Sequence, residues 1–234
     1  MALAFQLAFD RSRVFYGGDY RIYRDAAVSW LSGGGFYKQW QLSGHYVIAF
    51  TGNYAILYPP VILWLLVPFV YLPWLLWWVL PITAVAHSLW RLRPSIWAWC
   101  VLLAVFDLWH RTPELFIWGN PGMWAVAALF LGVLYDGPAV LVLLKPSLAP
   151  FALSGVRSRR WWAVLIGFLV ACVPFAGMWG DYLRVLLNSN GTLAYSLADV
   201  PAMCLPLVAW AGRDGRTFGQ ALDELAGILG RHRR

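Results

Sequence analysis

From Tyr58 onward the chain is almost continuously apolar. Tyr58-Pro59-Pro60 opens the run, which continues through residues 61–70, pauses at Leu72-Pro73 and resumes over 74–90. A soluble domain ordinarily carries about 25% charged residues. This chain is 61% hydrophobic and 12% charged, so charge cannot cover its surface and lipid must be part of its solvent. Sixteen Trp and eleven Tyr fit that solvent, because amphipathic rings gather at membrane–water interfaces. The expected fold is all-α: a polytopic membrane helical bundle of about six membrane segments, with an extracytoplasmic first loop carrying an interfacial helix.

Residues 1–55 form the polar first loop, 56–212 the transmembrane helical domain and 213–234 a basic amphipathic tail. Residues 1–9 are apolar but too short to span and lack the basic start of a signal peptide. Gly17-Gly18-Asp19 predicts a turn into a helix with Asp19 as N-cap. Tyr20, Tyr23, Ala27, Trp30 and Leu31 share one face of that helix, and Gly33-Gly34-Gly35 ends it. Arg21 and Asp25, four apart, predict an exposed ion pair. Residues 36–57 read as a loop.

Residues 58–70 are short and Pro-punctuated, which predicts a broken membrane helix packed on protein. Residues 72–90 form a span kinked at Pro81, and 95–109 the next. A polar turn over 107–114 follows, then a helix over 123–135. Residues 139–144 and 148–153, joined by Lys145-Pro146-Ser147, are each too short to cross a bilayer. Residues 161–179 form a strong span kinked at Pro174, 180–196 a polar loop with a short helical stretch over 182–187, and 197–211 the last apolar segment. In the tail, Phe218, Leu222, Leu225 and Leu229 share a helical face suited to a membrane surface.

Loops 91–93, 154–160 and 211–234 hold ten Lys and Arg, whereas 110–120 and 180–196 hold two. Lys and Arg accumulate in cytoplasmic loops, which puts residues 1–55 outside and the C-terminus in the cytoplasm. The segment 138–153 must then start and end on the cytoplasmic side, as a hairpin. The net charge of +7 reads as this topology rather than as a nucleic-acid surface.

Cys100, Cys172 and Cys204 lie far apart in apolar runs and read as small buried hydrophobes. His45, His87 and His110 show no metal-ligand spacing. No metal site and no cofactor is expected, and divalent-metal dependence stays open. Asp19, outside the membrane, could act as general base on a hydroxyl. Asn120 could cap a helix or touch a ligand. Lys145, ionisable inside an apolar hairpin, could meet a lipid phosphate or snorkel to the interface.

Gly18-Asp19-Tyr20 with Tyr23, Ala26-Ala27, Gly35 and Tyr37, Tyr58-Pro59-Pro60, Pro68, Leu72-Pro73, Gly119-Asn120 and Lys145-Pro146-Ser147 follow one another in an order that resembles bacterial GT-C integral-membrane glycosyltransferases. The nearest likeness is to the polyprenol-phosphate-mannose-dependent mannosyltransferases, over residues 17–160. Where that family has Asn-Gly-Gln and Lys-Pro-Gln, this chain has Asn120-Pro121-Gly122 and Lys145-Pro146-Ser147. The family's first helix would end where residues 1–9 stand.

The resemblance implies a bacterial plasma-membrane enzyme. It would move a hexose, mannose-like, from a polyprenyl-phosphate sugar to a lipid or glycan hydroxyl acceptor at the extracytoplasmic face. Asp19 takes the position of the catalytic base. Tyr20, Arg21, Arg24, Tyr58, Asn120 and Lys145 are the substrate-binding candidates, and Arg21, Arg24 or Lys145 the cation facing the leaving phosphate. Two other readings stand beside it: a non-catalytic lipid-binding or assembly protein, and a transporter.

Overall fold

The computed structural model describes residues 16–48 and 55–230, and within them the chain is mostly helical. The expectations for residues 1–9 and for the basic end 231–234 lie outside the described residues. Eight helices organise the fold: α1 (Gly18–Leu31), α2 (Leu76–Leu92), α3 (Ile96–Leu108), α4 (Arg111–Ile117), α5 (Gly122–Tyr135), α6 (Arg159–Asn188), α7 (Val200–Ala211) and α8 (Phe218–Gly230).

By length and composition α6 can cross a membrane. Two bent pairs pass the same test together, so up to three spans qualify. One is Pro60–Tyr71 with α2, bent by 117°, and the other is α4 with α5, bent by 106°. Helix α3 and Tyr195–Ala211 are apolar but shorter. The break predicted in residues 58–70 is present: a 3-10 turn over Pro60–Ile62 gives way to Leu63–Leu66 and Pro68–Tyr71. Leu72 is extended before Pro73, as the residue before a proline prefers, and there the chain turns into α2.

Residues 137–155 leave and return to the same end of the bundle, as the charge distribution required. Gly137–Leu144 is a 3-10 helix packed along α5. Pro146–Leu148 and Ala149–Ala152 bring the chain back until Gly155 lies against Asp136. Gly155 has φ +90°, and a Cβ there would stand 2.9 Å from the Asp136 Cα. The outgoing arm sits so close to α5 because Gly132 has no side chain. A Cβ at Gly132 would lie 2.7 Å from the Ala139 Cβ and 2.9 Å from its amide nitrogen. Gly132→Ala is therefore expected to cost about 1–3 kcal/mol, read as a lower unfolding midpoint in detergent.

Three expectations are corrected. The helical stretch predicted over 182–187 is longer than expected: beyond the kink predicted at Pro174, where Phe175 leaves the helical region (φ −102°, ψ 16°), α6 runs on through a 3-10 stretch, Val173–Met178, into Trp179–Asn188. The first-loop residues 36–57 are not all irregular. Gln39–Ser43 is helical, and Tyr46–Val47 pairs in parallel with Ser189–Asn190, joining the loop to the far end of α6. Cys100 is exposed, and Cys172 and Cys204 are partly exposed, because the apolar faces carrying them are not fully covered by the chain.

The buried side chains form two clusters that differ in aromatic content. Around α1 aromatics such as Tyr20, Tyr23, Tyr37, Tyr58, Phe69 and Trp77 pack among aliphatics such as Ile62 and Leu66. Between α5, α7 and the 3-10 arm they are mainly aliphatic, including Val126, Leu129, Val140 and Met203, with Phe130 and Trp161 among them. Aromatic rings with polar tips need acceptors when buried, and the irregular backbone near α1 supplies them. Tyr20 donates to the Phe69 carbonyl at 3.2 Å, Tyr37 to Tyr58 at 3.0 Å and Trp77 to Gly119 at 2.8 Å. Apolar side chains also point outward. Ile96 and Leu108 are 84% and 80% exposed, and only 6% of the apolar window of α6 is covered by the chain.

Candidate functional site

The site begins where α1 starts. Gly17, at φ 73°, is the residue before the first helical turn, and Asp19 is the second residue of the helix. Asp19 is therefore not the N-cap. Gly17 N–H donates to the Ile117 carbonyl at 3.0 Å and Tyr20 N–H to Trp118 at 3.2 Å, so the end of α4 satisfies donors that a capping side chain would otherwise take. This frees the Asp19 carboxylate, which accepts from Asn120 Nδ2 at 2.5 Å.

Asn120 ties three elements together. Its Oδ1 accepts from the Tyr58 hydroxyl at 2.8 Å and from Gly122 N–H at 2.7 Å. The second bond satisfies the first N–H of α5 from the residue before its N-cap, Pro121, close to the capping role predicted for Asn120. Tyr58 and Asn120 are buried. Burial raises the Asp19 carboxyl above its ordinary value of 3.8, against the lowering by the Asn120 hydrogen bond and the positive Arg111 and Lys145. A base that must be ionised to accept a proton works above its own pKa. The acid limb of an Asp19-dependent rate is therefore expected above pH 3.8, and a pH–rate profile measures it.

A second network adjoins the first. Lys145, at the turn of the hairpin, is buried and paired with Asp199, which is fully buried. Arg111 forms a second ion pair with Asp199 at 3.5 Å and another with Glu114 at 3.2 Å. The Tyr195 ring lies 4.6 Å from the Arg111 guanidinium and 5.7 Å from Lys145 Nζ. Lys145 Nζ also lies 5.9 Å from the Tyr58 ring, which joins the two networks.

Between them is a cavity of about 210 Å³. Its polar lining comes from Tyr58, Asn120, Lys145, Ser147, Tyr195 and Ser196, with Tyr182 from α6. Asp19 is not in the lining; Asn120 stands between it and the cavity. Among the described residues no three His, Cys, Asp or Glu side chains converge.

Four of the predicted site residues thus meet: Asp19, Tyr58, Asn120 and Lys145. Three do not join them. Tyr20 is buried against Trp77 and Trp78 and spends its hydroxyl on Phe69. Arg21 is exposed and donates to the Tyr16 carbonyl at 3.2 Å. Arg24 lies 3.9 Å from Asp25 at the surface, which replaces the predicted Arg21–Asp25 pair. Both arginines point away because the face of α1 turned to the protein carries Tyr20, Tyr23, Ala26 and Ala27. Lys145 does not snorkel, because Asp199 holds it inside.

Arg111, Asp199, Tyr195 and Tyr182 were not predicted. Asp199 carried a signal, being an acid set at the head of an apolar run. Arg111 looked like part of an exposed turn. Protein-family profiles, characterised proteins and solved structures contain no match to this chain.

Proposed function

We propose that the chain is an integral-membrane glycosyltransferase of about six membrane segments, moving a mannose-like hexose from a polyprenyl-phosphate sugar to a lipid or glycan hydroxyl at the extracytoplasmic face. One observation carries the reading. A partly buried carboxylate, Asp19, is oriented by Asn120 beside a cavity that also presents a buried cation, Lys145. The resemblance in motif order supplies the substrate class. The outward-facing apolar side chains of α3 and α6 support lipid as their solvent. The excess of Lys and Arg in alternate loops supports the orientation, with residues 1–55 outside and the C-terminus in the cytoplasm.

In this reading Asp19 accepts the proton of the acceptor hydroxyl while that oxygen attacks the anomeric carbon. The bond between that carbon and the lipid-phosphate oxygen breaks, and the phosphate leaves with the electron pair. Lys145 is the cation that stabilises the departing phosphate. Arg21 and Arg24, turned to the surface, are not assigned that role.

A non-catalytic lipid-binding reading has one observation in its favour: Asn120 separates Asp19 from the cavity. Membranes containing the full chain, supplied with radiolabelled polyprenyl-phosphate-mannose, separate the two. Label passing into an acceptor supports the enzyme. Retention of unreacted donor by the protein, with no product across donor sugars, supports the lipid binder.

A further inference from the structure

We propose that Asp199 is a built-in counter-anion for the cavity, from which an incoming phosphate ester takes over Lys145. The inference rests on the reading above only for the choice of ligand.

Asp199 is positioned as the residue before α7, where an acidic side chain ordinarily caps the helix. It makes no such cap. Its two oxygens go instead to two cations from other parts of the chain, Lys145 and Arg111. The two cations differ in what else they touch. Arg111 is tied to Glu114 and lies over Tyr195, and it is not in the cavity lining. Lys145 lines the cavity, and among the described residues its ion pair is with Asp199.

A buried ammonium needs a counter-charge whether or not a ligand is present, because an uncompensated buried charge is strongly destabilising. Asp199 supplies it when the cavity holds no anion. An anionic head group entering beside Tyr58, Ser147 and Ser196 would compete for the same ammonium. Arg111 stays on Asp199 and compensates that carboxylate once Lys145 turns to the ligand. Asp199 is thus a positioning residue. It opposes ligand binding, and it helps release a product that still carries the phosphate.

The test is binding to the purified full chain in detergent, followed by thermal shift across ligand concentration, with farnesyl phosphate, farnesol and inorganic phosphate as probes. Wild type should respond to farnesyl phosphate and not to farnesol. Asp199→Asn should bind farnesyl phosphate about tenfold more tightly, the scale of one charge-assisted hydrogen bond no longer shared. Lys145→Gln should lose the response, and Asp199→Glu should stay close to wild type.

An equal response to inorganic phosphate would support the exchange and assign it to free phosphate rather than to a lipid head group. Unchanged or weaker binding by a folded Asp199→Asn would overturn the proposal. So would an unchanged response in Lys145→Gln, or no response to any phosphate in wild type. If Asp199→Asn does not fold, the contrast between Asp199→Glu and Lys145→Gln decides. Sugar transfer is read separately through Asp19, so its failure leaves these binding outcomes intact, and theirs leaves it intact.

Discussion

Asp19→Asn is expected to lower transfer of labelled mannose from polyprenyl-phosphate-mannose by about 10²- to 10⁴-fold, the range a positioned general base supplies. The substitution keeps the size of the side chain and leaves an oxygen to accept from Asn120 Nδ2. It removes only the capacity to take a proton. The sign of its effect on stability is independent evidence. Burial raises the folded-state pKa of Asp19, so its favourable contribution is present in full below the unfolded value and is lost as pH rises through the folded value. At neutral pH the ionised carboxylate therefore opposes folding. Asp19→Asn should melt at or above the wild-type temperature while losing transfer. A variant that loses both would make Asp19 structural, and one that keeps both would keep the enzyme but discard this base.

Asn120→Ala has the largest expected effect on stability, a loss of about 3 kcal/mol. The side chain satisfies the Asp19 carboxylate, the buried Tyr58 hydroxyl and the first turn of α5 together. Alanine serves none of them, and the Tyr58 hydroxyl is left without its acceptor in a buried site. Denaturant or thermal midpoints in detergent measure the loss. The same variant should lower transfer, because nothing then orients Asp19. A loss under about 0.5 kcal/mol would mean that the three bonds are not made together.

Local chemistry was the legible part of the sequence. Pro59, Pro60 and Pro68 foretold the broken helix before α2, and Gly33-Gly34-Gly35 the end of α1, because backbone restrictions act within a few residues. The alternation of basic loops foretold that residues 137–155 return to their starting end. The pairing of Asp199 with Lys145 and Arg111 was not legible. It joins positions 54 and 88 residues apart, and no spacing rule connects them. Pro174 was half legible. The kink it predicted is present at Phe175, but the chain regains its helix beyond it and continues to Asn188. The N-cap assignment of Asp19 failed because another segment, the end of α4, supplied the acceptors.

The long helix α6 acts as a ruler. Arg159 stands at its basic end, and Tyr182, which lines the cavity, lies 23 residues further along. At 1.5 Å per residue, and about 2.0 Å over the 3-10 stretch, the path is about 37 Å before the kink at Phe175 shortens it, somewhat more than the roughly 30 Å hydrocarbon core of a bilayer. With Arg159 held at the inner boundary as proposed, the cavity rides at the level of the outer head groups. The pairing of Ser189–Asn190 with Tyr46–Val47 joins the top of the ruler to the first loop. A thicker bilayer would draw the cavity down among acyl chains, and a thinner one would lift it clear of the lipid that carries the proposed donor.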